Sequence, residues 1–296
     1  MLGVIIPYFK LSFFEETLQS LENQTIQQFK VYIGDDASPE SPLALLEKYK
    51  GKFNFVYHKF EENLGSISLT KQWERCIELS NNEEWLMILG DDDVMSPNAI
   101  ETFYNNLTEI EEAKSNIVRY ASQIIDENGN PVSEIYQHPK LENAADSFWR
   151  KYTWKTRSSL SEYIFRREVY SKFKFVNYPL AWHSDDLAWI KFSNFKNIYS
   201  INLAQIYVRE SSLSISGKTD NFEQKKNASL QFYTTLSDKY LSIFRKEQRL
   251  VIIAILENEY FEKKEFSLLI KIVKWHLKHS DIYNLAKFFR RIYINR

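Results

Sequence analysis

Through the first third of the chain, short apolar runs alternate with stretches in which apolar residues recur every three or four positions. Leu2–Ile6 is a run that closes at Pro7, as a strand buried on both faces would. Phe14, Leu18 and Leu21 then recur at helical spacing. Phe29–Ile33 reads as a second strand, closed by Gly34-Asp35-Asp36, and Leu43–Tyr49 as a helix started by Ser41-Pro42. Phe53–Tyr57 is a third strand, and Leu69, Trp73, Cys76 and Ile77 share a helical face. Trp85–Leu89 is a fourth strand, cut off by an aspartate-rich turn before Ser96-Pro97 opens another helix. This repetition implies right-handed crossovers and a mostly parallel sheet flanked by helices, an α/β fold. Ligands of such sheets lie outside the carboxyl ends of the strands, where both acidic clusters stand.

From about residue 116 to 209 the pattern is less regular. Ile117–Ala121 and Gln205–Arg209 read as strands, and Glu127-Asn128-Gly129-Asn130 as a hairpin-like turn. From about Asn221 the pattern is helical to the end, with no Gly-, Ser- or Pro-rich linker before it. The expected division is a sheet domain over residues 1–215 and a docked helical C-terminal extension over 216–296.

Composition narrows the setting. The 296 residues suffice for one large domain or two small ones, and the net charge of −1 argues against a chain that coats nucleic acid. A single cysteine, Cys76, excludes a disulfide within the chain and suits a reducing compartment. The apolar start is too short for a signal peptide, and no stretch approaches the ~20 apolar residues of a membrane span. The expected location is the cytoplasm, free or at the inner face of the cell membrane.

Three acidic clusters carry the candidate chemistry. In Gly90-Asp91-Asp92-Asp93, three adjacent carboxylates repel one another unless a cation is near. At a strand end they can share Mg²⁺ or Mn²⁺, which take a few carboxylates plus phosphates and water. The plain alternative is a solvated acidic turn that caps the next helix. In Gly34-Asp35-Asp36-Ala37-Ser38, a carboxylate can accept the imide N–H of a uracil or merely hold a turn. In His183-Ser184-Asp185-Asp186, a carboxylate can act as general base for an acceptor hydroxyl or simply favour a helix N-terminus.

Taken in order, Val4-Ile5-Ile6-Pro7-Tyr8-Phe9, Ser20-Leu21-Glu22-Asn23-Gln24-Thr25, Asp35-Asp36-Ala37-Ser38, Asn63-Leu64-Gly65, Asp91-Asp92-Asp93 and Ser184-Asp185-Asp186 resemble family 2 of the inverting glycosyltransferases, over roughly residues 2–215. The resemblance implies the Rossmann-like GT-A fold and transfer of a sugar from a nucleoside diphosphate, a UDP-sugar, to an acceptor hydroxyl. The acceptor would be a saccharide or lipid-linked saccharide, as in assembly of bacterial surface polysaccharides. It further implies that Pro7 and Tyr8 line the nucleotide pocket, that Asp36 binds the base and that Asp35 supports its loop. The D-x-D element would fall on Asp91, Asp92 and Asp93 as metal ligands, Asp92 foremost, for Mn²⁺ or Mg²⁺. Asp186 would take the place of the catalytic base, with Asp185 beside it. Tyr207-Val208-Arg209-Glu210-Ser211-Ser212 resembles the late segment that closes over the diphosphate, which gives Arg209 a donor role, and Lys71 is a further candidate for the phosphates.

The chain departs from the family pattern at three places. Gly90 stands where the first Asp of the common form belongs, Glu210 stands near a frequent His, and Ala37 replaces a Gly. The alanine is expected to be tolerated in a turn without positive φ.

Two other function classes compete: a non-catalytic nucleotide-sugar-binding protein, and a sugar nucleotidyltransferase. The second needs a Gly-rich, Lys-containing loop, and residues 1–16 offer only Gly3 and Lys10. A third carboxylate pair, Asp185-Asp186, favours an enzyme over a binder. Trp149, Trp154 and Trp182 are candidates for an acceptor surface. Residues 261–296 mix Lys263, Lys264, Lys271, Lys274, Lys278, Lys287, Arg290 and Arg291 with Phe266, Leu269, Ile270, Trp275, Phe288, Phe289 and Tyr293. Such a segment suits either peripheral contact with an anionic membrane or packing on the catalytic domain.

Overall fold

The computed structural model of the chain describes residues 1–212, 220–279 and 281–294. Its contacts divide it into two compact units, Met1–Gln224 and Lys225–Arg296. The boundary expected at residues 215–216 lies outside the described residues.

The first unit runs β1 (Leu2–Tyr8), α1 (Phe14–Glu22), β2 (Phe29–Asp35), α2 (Leu43–Glu47), β3 (Phe55–Lys59), α3 (Leu69–Glu78), β4 (Trp85–Ile88), β5 (Val94–Met95), α4 (Ala99–Asn105), α5 (Leu107–Glu112), β6 (Ile117–Ile125), β7 (Leu141–Asn143), α6 (Ala144–Tyr152), β8 (Tyr163–Arg166), α7 (Arg167–Phe173), α8 (Ser184–Phe192) and β9 (Asn197–Arg209). One sheet follows the order β3-β2-β1-β4-β8-β6-β9-β5, with β7 also pairing β9. The four longest ladders, β6 with β9, β1 with β2, β2 with β3 and β1 with β4, are parallel. β8 runs antiparallel between β4 and β6, joining the parallel half to the rest.

Side-chain alternation along the strands gives the sheet two covered faces. Val4, Ile6 and Tyr8 of β1 join Val31, Ile33 and Met87 in a core closed by Leu18 and Leu21 of α1 and Ile100 and Phe103 of α4. Ile5, Tyr32, Leu86 and Phe165 face the other way, against Trp73, Cys76 and Ile77 of α3 and Trp189 and Phe192 of α8.

β1 does not stop at Pro7 but continues to Tyr8. Its ladder to β4 ends at the Ile5–Ile88 pair, so the missing N–H of Pro7 falls where that side of the strand has no partner. The strand order turns at β1, with β2 on one side and β4 on the other. In open α/β sheets ligands bind outside the carboxyl ends at such a switch point, and here those strand ends lie at Tyr8, Asp35 and Leu89.

The second unit holds most of α9 (Phe222–Thr235), then α10 (Lys246–Lys263), α11 (Phe266–Lys278) and α12 (Ile282–Ile294). Among the described residues no helix is long and apolar enough to cross a membrane.

Candidate active site

The turn after β2 is built on two aspartates with different tasks. Asp35 is fully buried, accepting from the Ser38 N–H at 2.7 Å and from the Tyr57 hydroxyl at 2.6 Å. Asp36 donates its backbone N–H to the Tyr8 carbonyl at 3.0 Å, which fastens the turn to the end of β1. Its carboxylate accepts the N–H groups of Leu64 at 2.8 Å and Gly65 at 2.9 Å and pairs with Arg75. A Cβ on Gly65 would stand 2.5 Å from Asp36 Oδ2, so only glycine admits this approach. Arg75 itself lies 3.8 Å over the Phe60 ring. Burial raises the Asp36 pKa against the opposing pull of the two N–H groups and Arg75. Ala37 adopts φ +52°, contrary to the expectation that this turn avoids positive φ. The Ser38 N–H, held by Asp35, fixes the chain on the far side of that residue.

The three carboxylates of the Asp91–Asp93 turn point in different directions. Asp91 Oδ2 accepts the backbone N–H groups of Phe9 at 2.8 Å and Lys10 at 2.9 Å, anchoring the loop after β1. Asp93 accepts the Arg209 N–H at 2.9 Å on one oxygen and the Ser161 hydroxyl on the other. Both are buried, and burial together with the charge of Asp92 raises Asp91 to about 6 and Asp93 to about 7. Asp92 is the partly exposed member, and Lys10 Nζ lies 3.0 Å from its Oδ2. Burial alone would lower the Lys10 pKa, but the charges of Asp92 and Asp91 hold it above its ordinary value.

Among the described residues, no group of three or more His, Cys, Asp and Glu side chains is gathered to hold a metal ion. The three expected ligands are thus not gathered round one point here: Asp91 braces backbone, Asp93 holds backbone and the Ser161 hydroxyl, and Asp92 pairs with Lys10 nearer the surface. Gly90 has a local reason too. A Cβ there would meet Asp93 Oδ2 at 2.9 Å and Asp92 Oδ1 at 3.1 Å, so the residue standing in place of an Asp leaves room for the carboxylates folded over it.

Asp185 and Asp186 open α8. Asp186 is 5% exposed, accepts from Lys151 Nζ at 2.6 Å and faces His183 Nδ1 at 2.8 Å. Burial pushes its pKa up, but Lys151 and His183 hold it far below the usual carboxylate range. Asp185 goes the other way, raised to about 6 by burial and by the charge of Asp186. Asp186 lines a small internal cavity with Lys151, Ser158, Tyr163 and Trp189. Tyr163 stacks on Trp189 of α8 at 4.1 Å, and Ser161, two residues before Tyr163, holds both Asp93 and the Gly90 N–H. Asp36 and Asp91 are thus fastened to consecutive residues at the end of β1, and Asp186 shares its small cavity with Tyr163, two residues after the Ser161 that holds the acidic turn.

Other expected residues are placed differently. The Tyr8 side chain lines no cleft: it is fully buried against Phe14, and its hydroxyl donates to the Glu40 carbonyl. Pro7 is half-buried beside it. Arg209 is bound on every side, donating to the carbonyls of Asp92 and Asp126, pairing with Glu16 and covering the Phe13 ring. These contacts tie it to the acidic turn. Lys71 is exposed on α3, whereas Lys10 meets the acidic turn. Lys10, Arg75, Lys151 and Ser161 were not singled out for these positions from the sequence. Only Lys10 had a local signal, as the first cation after a strand end. Trp154 is 94% exposed, while Trp149 stacks on Tyr152 and Trp182 meets His183 edge-on.

A mostly parallel sheet with its switch point at β1, flanked by helices and with acidic turns at the adjoining strand ends, is the arrangement of the GT-A-like fold class. Residues 3–173 match the sequence model of Glycosyl transferase family 2, and the chain belongs to that family. No curated protein matches the sequence. Among solved structures, S. aureus TarS residues 1–349 in complex with UDP-GlcNAc aligns with a TM-score of 0.66 at 18% identity, over 93% of this chain and 79% of that one. The UDP complex of the same fragment gives 0.62 at 18% identity, over 88% and 72%. GalNAc-T7 with UDP, GalNAc and Mn²⁺ gives 0.54 at 13% identity, over 80% and 50%.

The positive φ at Ala37 generates a stability prediction. Ala37→Gly removes a Cβ from the left-handed region and is expected to stabilise the fold by about 1 kcal/mol. Urea unfolding followed by Trp fluorescence measures it, and an unchanged or lowered midpoint would contradict the strain.

Proposed function

We propose that this family 2 glycosyltransferase inverts the anomeric centre as it moves a sugar from a UDP-sugar to an acceptor hydroxyl of a saccharide or glycolipid. The observation that carries the reading is the joining of Asp36, the loop after β1 and the Asp91–Asp93 turn into one rim at the strand ends. Three donors occupy the Asp36 carboxylate, and a carboxylate has about four acceptor positions. One position is left, which suits the single imide N–H of uracil. The UDP named in the TarS and GalNAc-T7 structures supports the same donor class.

The acidic turn fits a divalent cation. Three carboxylates and the Lys10 ammonium leave an excess of negative charge, and Asp92 is the carboxylate near the surface. Mg²⁺ and Mn²⁺ bind through one or two carboxylates with phosphates and water completing the shell, so the inward turn of Asp91 and Asp93 does not preclude one. Asp92 would hold the ion, which when bound offsets the charge that develops on the departing diphosphate. Asp91 keeps Lys10 at the rim, and Lys10 offers the phosphates a second positive charge. Asp92→Ala is expected to lower transfer by about 10²–10³-fold and to abolish stimulation by Mn²⁺. Equal Mn²⁺-stimulated rates in the folded variant, assayed by UDP release, would refute the assignment.

On the acceptor side, Asp186 takes the proton as the acceptor oxygen attacks the anomeric carbon and the bond to the diphosphate oxygen breaks. The nucleoside diphosphate leaves with the bonding electrons. Lys151 and His183 orient the carboxylate and keep it ionised. Exposed Trp154, three residues beyond Lys151, offers a ring for a sugar face. A second reading gives the base role to Asp185, favoured by its rise to about 6, nearer the working pH of a base.

Two variants separate these readings. With Asp186 as base, Asp186→Asn loses about 10²–10⁴-fold in turnover, keeps UDP affinity, and Asp185→Asn stays active. With Asp185 as base, Asp185→Asn is the inactive variant. The base works deprotonated, so wild-type turnover would then rise with pH up to about 6 and level off above it. Normal turnover in both variants would overturn the carboxylate-base mechanism.

A further inference from the structure

The last two helices carry more apolar surface than packing requires. α11 buries Leu268, Ile272 and His276 on one side. On the opposite side Phe266, Ile270 and Leu277, spaced by four and seven residues, are 71%, 38% and 55% exposed. α12 buries Leu285 and Phe288 and, about a quarter-turn round the helix, exposes Ile282, Phe289 and Tyr293 at 59%, 47% and 78%. A helix docked on its own unit needs one apolar stripe. A second stripe left in solvent on two successive helices marks a surface that meets something apolar.

Charge identifies the partner. Residues 266–294 hold six Lys and Arg against one Asp, in a chain whose net charge is −1. Lys274 and Lys278 lie beside the exposed α11 stripe, and Arg290 beside that of α12, at helical spacing from the apolar positions. Lys287 folds over the exposed Tyr283 ring at 4.1 Å. Two copies meeting through this face would bring two sets of cations together, whereas an anionic lipid surface would neutralise them. No described helix can cross a bilayer, so the fitting geometry is a helix lying in the interface, its apolar stripe among the acyl chains and its cations at the phosphates.

We propose that α11 and α12 form a peripheral docking face for an anionic membrane. This inference rests on the second unit alone and stands whether or not the sugar-transfer mechanism does. The test is flotation of the full chain with vesicles of equimolar phosphatidylglycerol and phosphatidylcholine, beside vesicles of phosphatidylcholine only. The expected result is binding to the anionic vesicles, little to the neutral ones, and weakening by salt. Removing two cations with Lys274→Gln/Lys278→Gln should lower the apparent affinity about thirtyfold. Leu277→Glu should abolish flotation, with helix content unchanged by circular dichroism because the residue is exposed. Equal binding to both vesicles, no binding to either, or variants that float like the wild type would overturn the proposal. So would a stable dimer in sedimentation that Leu277→Glu dissociates, which would assign the face to a second copy.

Discussion

Asp91 places one carboxylate oxygen against two consecutive backbone N–H groups, those of Phe9 and Lys10. The rest of the site follows from that contact. It curls the chain as it leaves β1, which carries the Lys10 ammonium back over Asp92. Without that cation, the Asp92 charge would face two other carboxylates already raised by burial and by Asp92 itself. Asp93 extends the tie in the opposite direction, to the end of β9 through the Arg209 N–H and to the approach to β8 through Ser161. One three-residue turn thus clamps the ends of strands that lie far apart in sequence. Two of its members are taken up by these ties, and the third pairs with Lys10 nearer the surface.

Much of the parallel half was legible because β1, β2 and β4 are covered on both faces. Such strands carry near-continuous apolar runs, interrupted in β2 by the half-buried Lys30. The antiparallel joint was not legible. β8 has four residues and β5 two, too few to establish any period. α8 failed for another reason: Asp186 through Phe192 are all buried, so no polar face alternates with an apolar one. The acidic turns could be found by their place at strand ends. Their partners could not, because Lys10 and Asp92 are 82 residues apart and Arg75 and Asp36 are 39 apart.

The family resemblance gives Tyr8 and Arg209 donor roles, and in this chain both side chains also pack into the fold. Tyr8 is the last residue of β1, but alternation sends its ring into the same core as Val4 and Ile6. Arg209 ends β9 at the rim, yet its side chain has no exposed surface and donates to Asp92, Asp126 and Glu16. Removing such an arginine would lower activity by loosening the acidic turn. That loss would resemble a lost phosphate contact unless stability were measured beside it.

The near-neutral net charge is the sum of two unlike parts. Residues 266–294 carry a net +5, and the remainder of the chain therefore carries −6. Part of the acidic excess gathers in the Asp91–Asp93 turn, where the proposed function would have a cation offset it. The basic excess sits on two helices that also carry exposed apolar stripes. An acceptor carried on a lipid would give both charges one purpose, since the face that holds the enzyme at anionic lipid would also raise the local concentration of such an acceptor. A fully water-soluble acceptor would leave that face without a role in turnover.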